Sequence, residues 1–170
     1  MTLKIKAETN YGDSEPCVAA LSNKLFVGTE NGFIASFNPD LSPATKWAAH
    51  EVQIFALAAN DSSVFSASND GNIRVFVFEN NEPKAAYSVL EEVKDIKASD
   101  MIVTSLSAID TFAWTGGWDG IVRRWKIADN KIEAAGEINL GCCVNALVAT
   151  TAEDAYAILT GGRIVHVKSE

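Results

Sequence analysis

The chain has 170 residues, of which 48% are hydrophobic and 21% charged, and its formal net charge is −8. This length suits one globular domain, and the composition excludes disordered and collagen-like chains. Because 22 acidic residues outnumber 14 basic ones, the surface should repel phosphate groups, which disfavours general binding to nucleic acids or to anionic membranes. No apolar run reaches the ~18 residues of a membrane-spanning helix, and the first residues lack the pattern of a secretory signal. We therefore expect an intracellular protein of the cytoplasm or nucleus.

The three cysteines are Cys17, Cys142 and Cys143. An odd number with no Cys-x-x-Cys spacing does not form a disulfide framework. We expect small buried hydrophobic residues in a reducing compartment.

Taken in chain order, four stretches follow one template. Each has a short apolar strand, a polar turn, a second strand with small residues, a turn that ends in glycine, and a third alternating strand. The stretches are 18–37, 54–76, 102–125 and 143–167, and their turn glycines are Gly32, Gly71, Gly120 and Gly162. The glycine spacings of 39, 49 and 42 residues indicate an internal repeat.

A further strand-like piece precedes each triplet, and these pieces read TLKIKAE, ATKWAAH, KAAYSVL and KIEAAGEIN. Patterning of period two, with no sustained helical period, predicts an all-β protein of four four-stranded antiparallel sheets. We predict one domain over residues 1–170, with units at 3–38, 44–79, 84–128 and 131–168. The charged stretch EEVKDIKASD accounts for the longer third unit, as a solvated loop or as a docking loop for a basic partner.

Two stretches carry a family resemblance. SASNDGNIRVFVF and TGGWDGIVRRWKI resemble the WD40 repeat, with small residues, an Asp-Gly turn and a strand of apolar and basic residues. The resemblance covers residues 3–168 and implies β-propeller blades that stack side by side.

The resemblance also implies a hydrogen-bonded tetrad of His, Ser or Thr, Asp and Trp in each blade. The matching residues are His50, Ser66, Asp70 and Phe76 in the second unit, and Ser99, Thr115, Asp119 and Trp125 in the third. In the first and fourth units most of the tetrad is replaced, by residues that include Asn31, Phe37, Gly161 and Val167. Since no unit has a full set, apolar packing between sheets should hold the blades.

Four units are fewer than the seven or eight blades that the family normally closes into a ring. An open arc exposes the apolar faces of its end sheets. Three solutions fit: the chain is part of a longer propeller, two copies form an eight-bladed ring, or a partner protein completes it.

Trp118 stands directly before the Asp-Gly turn of the third unit. By the resemblance, this position and the start of each inner strand lie on a face that contacts partners. The residues at these positions are Glu30, Asn69, Trp118, Thr160, Gln53, Phe55, Ile102, Thr104, Cys143 and Asn145. Trp118 and Phe55 together would form an aromatic anchor, which is typical of binding hot spots. The alternative is that Trp118 packs on a neighbouring loop.

Arg123 and Arg124 are a second point of interest. Arg124 aligns with an apolar position, so we expect it to pair with an acid or to reach an exposed blade edge. A Phe-Arg-Arg-Gly motif of phosphoinositide-binding propellers matches only in its two arginines, which makes lipid binding a remote alternative.

The sequence offers little for catalysis. His50 and His166 are the only histidines, and a Cys-His-Asn site would need His166 to meet Cys143 and Asn145. No metal-ligand spacing or phosphate-binding glycine loop is present. We expect no enzyme activity, no metal and no cofactor. The predicted function is a scaffold or adaptor for protein–protein interaction in an intracellular complex; the alternatives are an architectural subunit completed by a partner or a second copy and, remotely, an enzyme.

Overall fold

A computed structural model describes residues 2–12, 14–69, 73–79, 82–88, 102–128 and 131–170. These residues form fifteen β-strands, and none of them belongs to a helix that might cross a membrane. Sheet I comprises β1 (Pro16–Leu21), β2 (Leu25–Thr29), β3 (Phe33–Phe37) and β4 (Pro43–Ala48). Sheet II comprises β5 (Ile54–Ala59), β6 (Ser63–Ser68), β7 (Ile73–Glu79) and β8 (Glu82–Ser88). Sheet III comprises β9 (Val103–Ile109), β10 (Phe112–Gly117), β11 (Ile121–Ala128) and β12 (Lys131–Asn139). Sheet IV comprises β13 (Val144–Ala149), β14 (Asp154–Leu159) and β15 (Ile164–Lys168).

All strand pairs are antiparallel, and the strands of each sheet lie side by side in sequence order. The predicted all-β class and the four repeated sheets are confirmed. Sheets I to III have four strands each, whereas sheet IV has three in the described part of the chain.

The grouping of strands differs from the predicted units. The pieces expected to begin the second, third and fourth units pair instead with the strand before them, as β4, β8 and β12. The physical reason is that β3 and β4 are joined by only five residues, 38–42, so the second strand folds back on the first as a hairpin. The piece TLKIKAE, expected as the first strand, has no regular structure. The charged stretch expected as an insertion lies outside the described residues.

Two turn glycines are required by space as well as by backbone angle. Gly32 has φ +82° and Gly120 has φ +76°, a conformation that side chains disfavour. A Cβ on Gly120 would lie 2.9 Å from the backbone nitrogen and oxygen of Cys142, and one on Gly32 would overlap the carbonyl of His50. The β2–β3 and β10–β11 turns therefore lie in close contact with the backbone that leads into the next sheet.

Apolar clusters join consecutive sheets face to face. Phe26 and Ile34 of sheet I pack with Ile54, Leu57 and Phe76 of sheet II. The second cluster joins sheets II and III, and its members include Phe65, Val75, Val103, Leu106 and Trp125. The third joins sheets III and IV, with Trp114, Val122, Val144, Leu147 and Leu159. Among the described residues no buried cluster joins sheet IV to sheet I, so the four sheets form a β-propeller arrangement that is open at this junction.

Small residues allow the close approach of neighbouring sheets. Gly28 of sheet I lies against Ile54 of sheet II, and Gly116 of sheet III lies against Val144 of sheet IV. Ala67 holds the corresponding place in sheet II, in one cluster with Val103. We call the first strand of each sheet its inner strand and the fourth its outer strand. At each junction between consecutive sheets, a small residue of the second strand therefore packs against the β-branched residue that begins the inner strand of the next sheet.

We expect Gly116→Ala to lower the free energy of unfolding by about 1–3 kcal/mol, because the new methyl group would overlap the Val144 side chain. Urea denaturation measures the change. Gly12→Ala is the matched control, since nothing lies within 4 Å of a Cβ at Gly12. Val144→Ala in the Gly116→Ala background should restore part of the loss. If Gly116→Ala were as stable as the parent, sheets III and IV would not approach as closely as described here.

Candidate functional site

One hydrogen bond recurs at the same end of all four sheets. In each sheet the residue after the second strand donates its backbone N–H to a carbonyl just before the innermost strand. The four bonds are Glu30 to Glu15 (3.1 Å), Asn69 to Gln53 (3.3 Å), Trp118 to Ile102 (3.1 Å) and Thr160 to Cys143 (2.9 Å). We call this end the loop face; it comprises the turns after β2, β6, β10 and β14 and the residues that lead into β1, β5, β9 and β13.

Trp118 is the most exposed aromatic residue described on the loop face. Its side chain is 60% exposed, although its backbone is held by the bond to Ile102. The turn is fixed further because Asp119 Oδ1 accepts the backbone N–H of Ile121 at 3.0 Å. A large apolar residue therefore stands mostly in water on a turn that hydrogen bonds fix.

Phe55 does not form a ring pair with Trp118. Phe55 is half-buried within β5, and the aromatic contacts found among the described residues do not join these two rings. The two rings do not stack, and their joint role as a binding anchor stays a prediction.

The polar residues predicted for this face divide into two groups. Glu30, Asn69 and Asn145 are exposed and Gln53 is half-buried. In sheet IV, Asn145 Oδ1 accepts from Thr160 Oγ1 at 3.2 Å. Thr104 is not an exposed polar residue of this kind. Its hydroxyl donates to the carbonyls of Gly116 and Val144, so its side chain is part of the junction between sheets III and IV.

Acidic side chains surround the sheet I and sheet II parts of the loop face. Glu15, Glu30 and Glu51 are all exposed. They lie beside the β2–β3 turn or in the connection from β4 to β5. The loop face thus combines one exposed aromatic ring on sheet III with acidic side chains on sheets I and II and with the exposed Arg163 in the turn after β14.

The tetrad positions form two separate buried pairs. His50 Nε2 lies 2.8 Å from Ser66 Oγ in sheet II, and Trp125 Nε1 donates to Thr115 Oγ1 at 2.9 Å in sheet III. Asp70 and Ser99 lie outside the described residues. Asp119 is engaged by an arginine of its own hairpin.

That arginine is Arg123, whose role the sequence reasoning missed. Its side chain is 8% exposed; its Nη1 donates to Asp119 Oδ2 at 2.7 Å, and its Nε lies 3.4 Å from Glu137 Oε2. A signal was present, because an acid and a base four residues apart flank the Gly120 turn. Such a pairing offsets the cost of burying the guanidinium charge, while Arg123 Nη2 is buried without a hydrogen-bond partner among the described residues.

Arg124 corrects an expectation. It pairs with no acid in the described part of the chain; its guanidinium lies 3.8 Å from the centroid of the Phe112 ring, and its Nε donates to the Ala152 carbonyl at 2.7 Å. The aromatic face and the carbonyl together satisfy the charge. Arg124 therefore links sheet III to the β13–β14 turn of sheet IV.

The structure does not bring the cysteine, histidine and asparagine together. His166 Nε2 lies 2.9 Å from Asp154 Oδ1, and this hydrogen bond lowers the pKa of the Asp154 carboxyl. Cys143 Sγ instead lies 3.6 Å from Asn145 Oδ1. Within the described residues, no group of three or more His, Cys, Asp or Glu side chains is placed to hold a metal ion.

Comparisons with known proteins show the fold and not the family. No family model and no curated protein matches the chain. The computationally designed protein Ika4, known from a crystal structure, is 16% identical with a TM-score of 0.78, and the match covers 99% of this chain and 100% of that one. The designed protein Ika8 is 18% identical with a TM-score of 0.71, over 89% of this chain and 45% of that one.

A third similar structure is the β-propeller domain of Myceliophteria thermophila Cps50 (Swd1). It is 9% identical with a TM-score of 0.70, over 87% of this chain and 50% of that one. The chain therefore spans about half the length of the Ika8 and Cps50 structures. These likenesses establish a β-propeller fold of four sheets.

We expect Thr115→Val to lower the free energy of unfolding by about 1–3 kcal/mol, because it leaves the buried indole N–H of Trp125 without an acceptor. A double-mutant cycle with Trp125→Phe tests the cause by chemical denaturation. Once the indole N–H is absent, Thr115→Val should cost much less. An equal cost of Thr115→Val in both backgrounds would contradict this role of the hydrogen bond.

Proposed function

We infer that the protein is a non-catalytic scaffold of WD40 type that binds another protein through its loop face, with Trp118 as the anchor. The observation that carries this proposal is a tryptophan ring 60% exposed on a hydrogen-bonded turn. Tryptophan dominates binding hot spots because it buries a large apolar area on contact.

The rigidity of the turn supports the same function. Trp118 is positioned by its own backbone bond, by the Asp119 side chain and by Gly120, which packs against Cys142. A backbone held in place before binding loses less entropy when the complex forms. The turn is therefore suited to present the ring to a pocket on a partner.

The charge of the face indicates the chemistry of the partner. Glu15, Glu30 and Glu51 are exposed at the loop face, and the whole chain carries a net charge of −8. A partner with basic side chains around an apolar pocket is complementary to such a surface, and its association should slow as salt is added.

The proposed setting is an intracellular complex of the cytoplasm or nucleus. The three cysteines are free thiols, which is compatible with a reducing compartment. None of them is buried, so the expectation of buried small residues was wrong. A second candidate function is that of an architectural subunit whose ring is completed by other blades. The exposed apolar residues of sheet IV favour it.

Trp118→Ala should abolish most partner capture in a pull-down from cell extract, while the thermal unfolding temperature stays within a few degrees of the parent, because the ring is exposed. Trp118→Phe should retain part of the capture, since it keeps an aromatic ring at the turn. Asn23→Ala, in the exposed turn at the opposite end of sheet I, is the control. Equal capture by Trp118→Ala and the parent would overturn the proposal.

A further inference from the structure

The face of sheet IV that points away from sheet III is apolar and exposed. Val148, Tyr156, Ile158 and Ile164 are 56%, 42%, 49% and 75% exposed. The strand register places them on one face, because Val148 pairs with Tyr156 and Ile158 pairs with Ile164. Exposed patches of this kind mark interfaces. At the other junctions the corresponding face is covered by the next sheet.

Sheet IV also has a free edge. In sheets I to III the third strand pairs on its outer side with β4, β8 or β12, whereas β15 pairs only with β14 in the described residues. An unpaired edge of this kind is a ready template for an added strand. Within the described residues, sheet IV therefore has neither an outer strand nor a second neighbouring sheet.

The internal repeat identifies the missing strand. β4 lies directly before the inner strand of sheet II, and β12 directly before that of sheet IV. Residues 2–10 hold the same place in the sequence before β1, and they are the only such piece described without a sheet. Leu3 and Ile5 alternate with lysines and are 95% and 81% exposed. By position and pattern, residues 2–10 correspond to the outer strand of a sheet that would stand before sheet I.

An aromatic contact supports this placement. At the junction of sheets I and II, Trp47 of the outer strand packs edge-on against Phe76, with centroids 5.6 Å apart. Tyr11 makes the equivalent contact with Phe37 at 6.4 Å, on the free face of sheet I. The end of the N-terminal segment thus already lies where the outer strand of a preceding sheet would lie.

One copy of the arc does not bring these two ends together. No buried cluster joins sheets IV and I in the described residues. The four sheets also superpose on 45% of the Ika8 chain and on 50% of the Cps50 β-propeller domain, with TM-scores of 0.71 and 0.70. Because the arc matches about half of that β-propeller domain, its curvature is compatible with two arcs in one ring.

Side-chain sizes at the free ends differ from those at the internal junctions. Where sheets I to III place Gly28, Ala67 and Gly116, sheet IV places Ile158. The residue that the next sheet would bring there is β-branched at every internal junction, whereas β1 begins with the more compact Pro16. The bulk of Ile158 is thus offset by a smaller residue on sheet I, which favours this chain's own first sheet as the neighbour.

We propose that a second copy of this chain closes the arc, and that residues 2–10 of each copy form the fourth strand of sheet IV in the other. Sheet IV of one copy packs on sheet I of its partner at both junctions. Such a head-to-tail contact closes into a ring when the rotation fits, and here two arcs of four sheets complete the turn. The exchange is independent of the partner site proposed on the loop face.

Light scattering coupled to size exclusion tests the assembly on the unaltered chain. The expected mass is twice the 18.2 kDa of one copy, and β15 amides should resist hydrogen exchange because the added strand pairs with them. A monomer at all concentrations, or an open-ended series of larger species, would overturn the proposal.

Two variants separate strand exchange from simple face packing. Ile5→Pro combined with Lys6→Pro removes two consecutive backbone donors, one of which faces β15 in either register, from a segment without regular structure. The sheets should therefore stay folded while at least nine-tenths of the dimer is lost at micromolar concentration. Ile158→Glu should dissociate the dimer equally, whereas Asn23→Glu, at an exposed turn, should leave it intact. A dimer that survives the proline pair with β15 still protected would overturn the strand exchange.

Discussion

Face-to-face apolar packing between consecutive sheets is the interaction on which the rest of this structure depends. A single repeat unit cannot bury its apolar faces alone, and among the described residues the buried apolar clusters lie between neighbouring sheets. Trp114 and Val122 of sheet III, for example, are buried because sheet IV covers them. Stability in such an array is close to a sum of nearest-neighbour terms. The two outer faces of the arc are then the faces that no neighbouring sheet of the described residues covers.

Polar contacts fix the positions of individual strands and turns within this packing. The His50–Ser66 and Trp125–Thr115 pairs are buried in sheets II and III, and the Asp119–Arg123 ion pair ties the β10–β11 turn to its own strand. These contacts hold the loop face rigid while the apolar clusters hold the sheets together. A rigid set of turns on a stable array is the arrangement that lets one exposed residue such as Trp118 act as a binding anchor.

Much of the fold was predictable because its signals are local. Alternating apolar residues and turn glycines at spacings near 40 residues specify strands and repeats. The predicted grouping of strands into sheets was wrong. The sequence of β4 has the same alternating pattern whether β4 pairs with β3 or begins the next unit, and only the short connection 38–42 indicates that it pairs with β3. The pair Thr115–Trp125 followed from the family resemblance. The stacking of Arg124 on Phe112 did not, because it depends on how closely two side chains approach across a sheet.

Hydrogen exchange on the Phe65→Ala variant tests the dependence of each sheet on its neighbour most directly. Phe65 of sheet II is 1% exposed and belongs to the cluster that joins sheets II and III. If packing between sheets holds the array, the cavity should speed amide exchange in β6 and also in β10 of the neighbouring sheet. Faster exchange confined to sheet II, with β10 unchanged, would contradict the claim that the sheets are stable only as a stack.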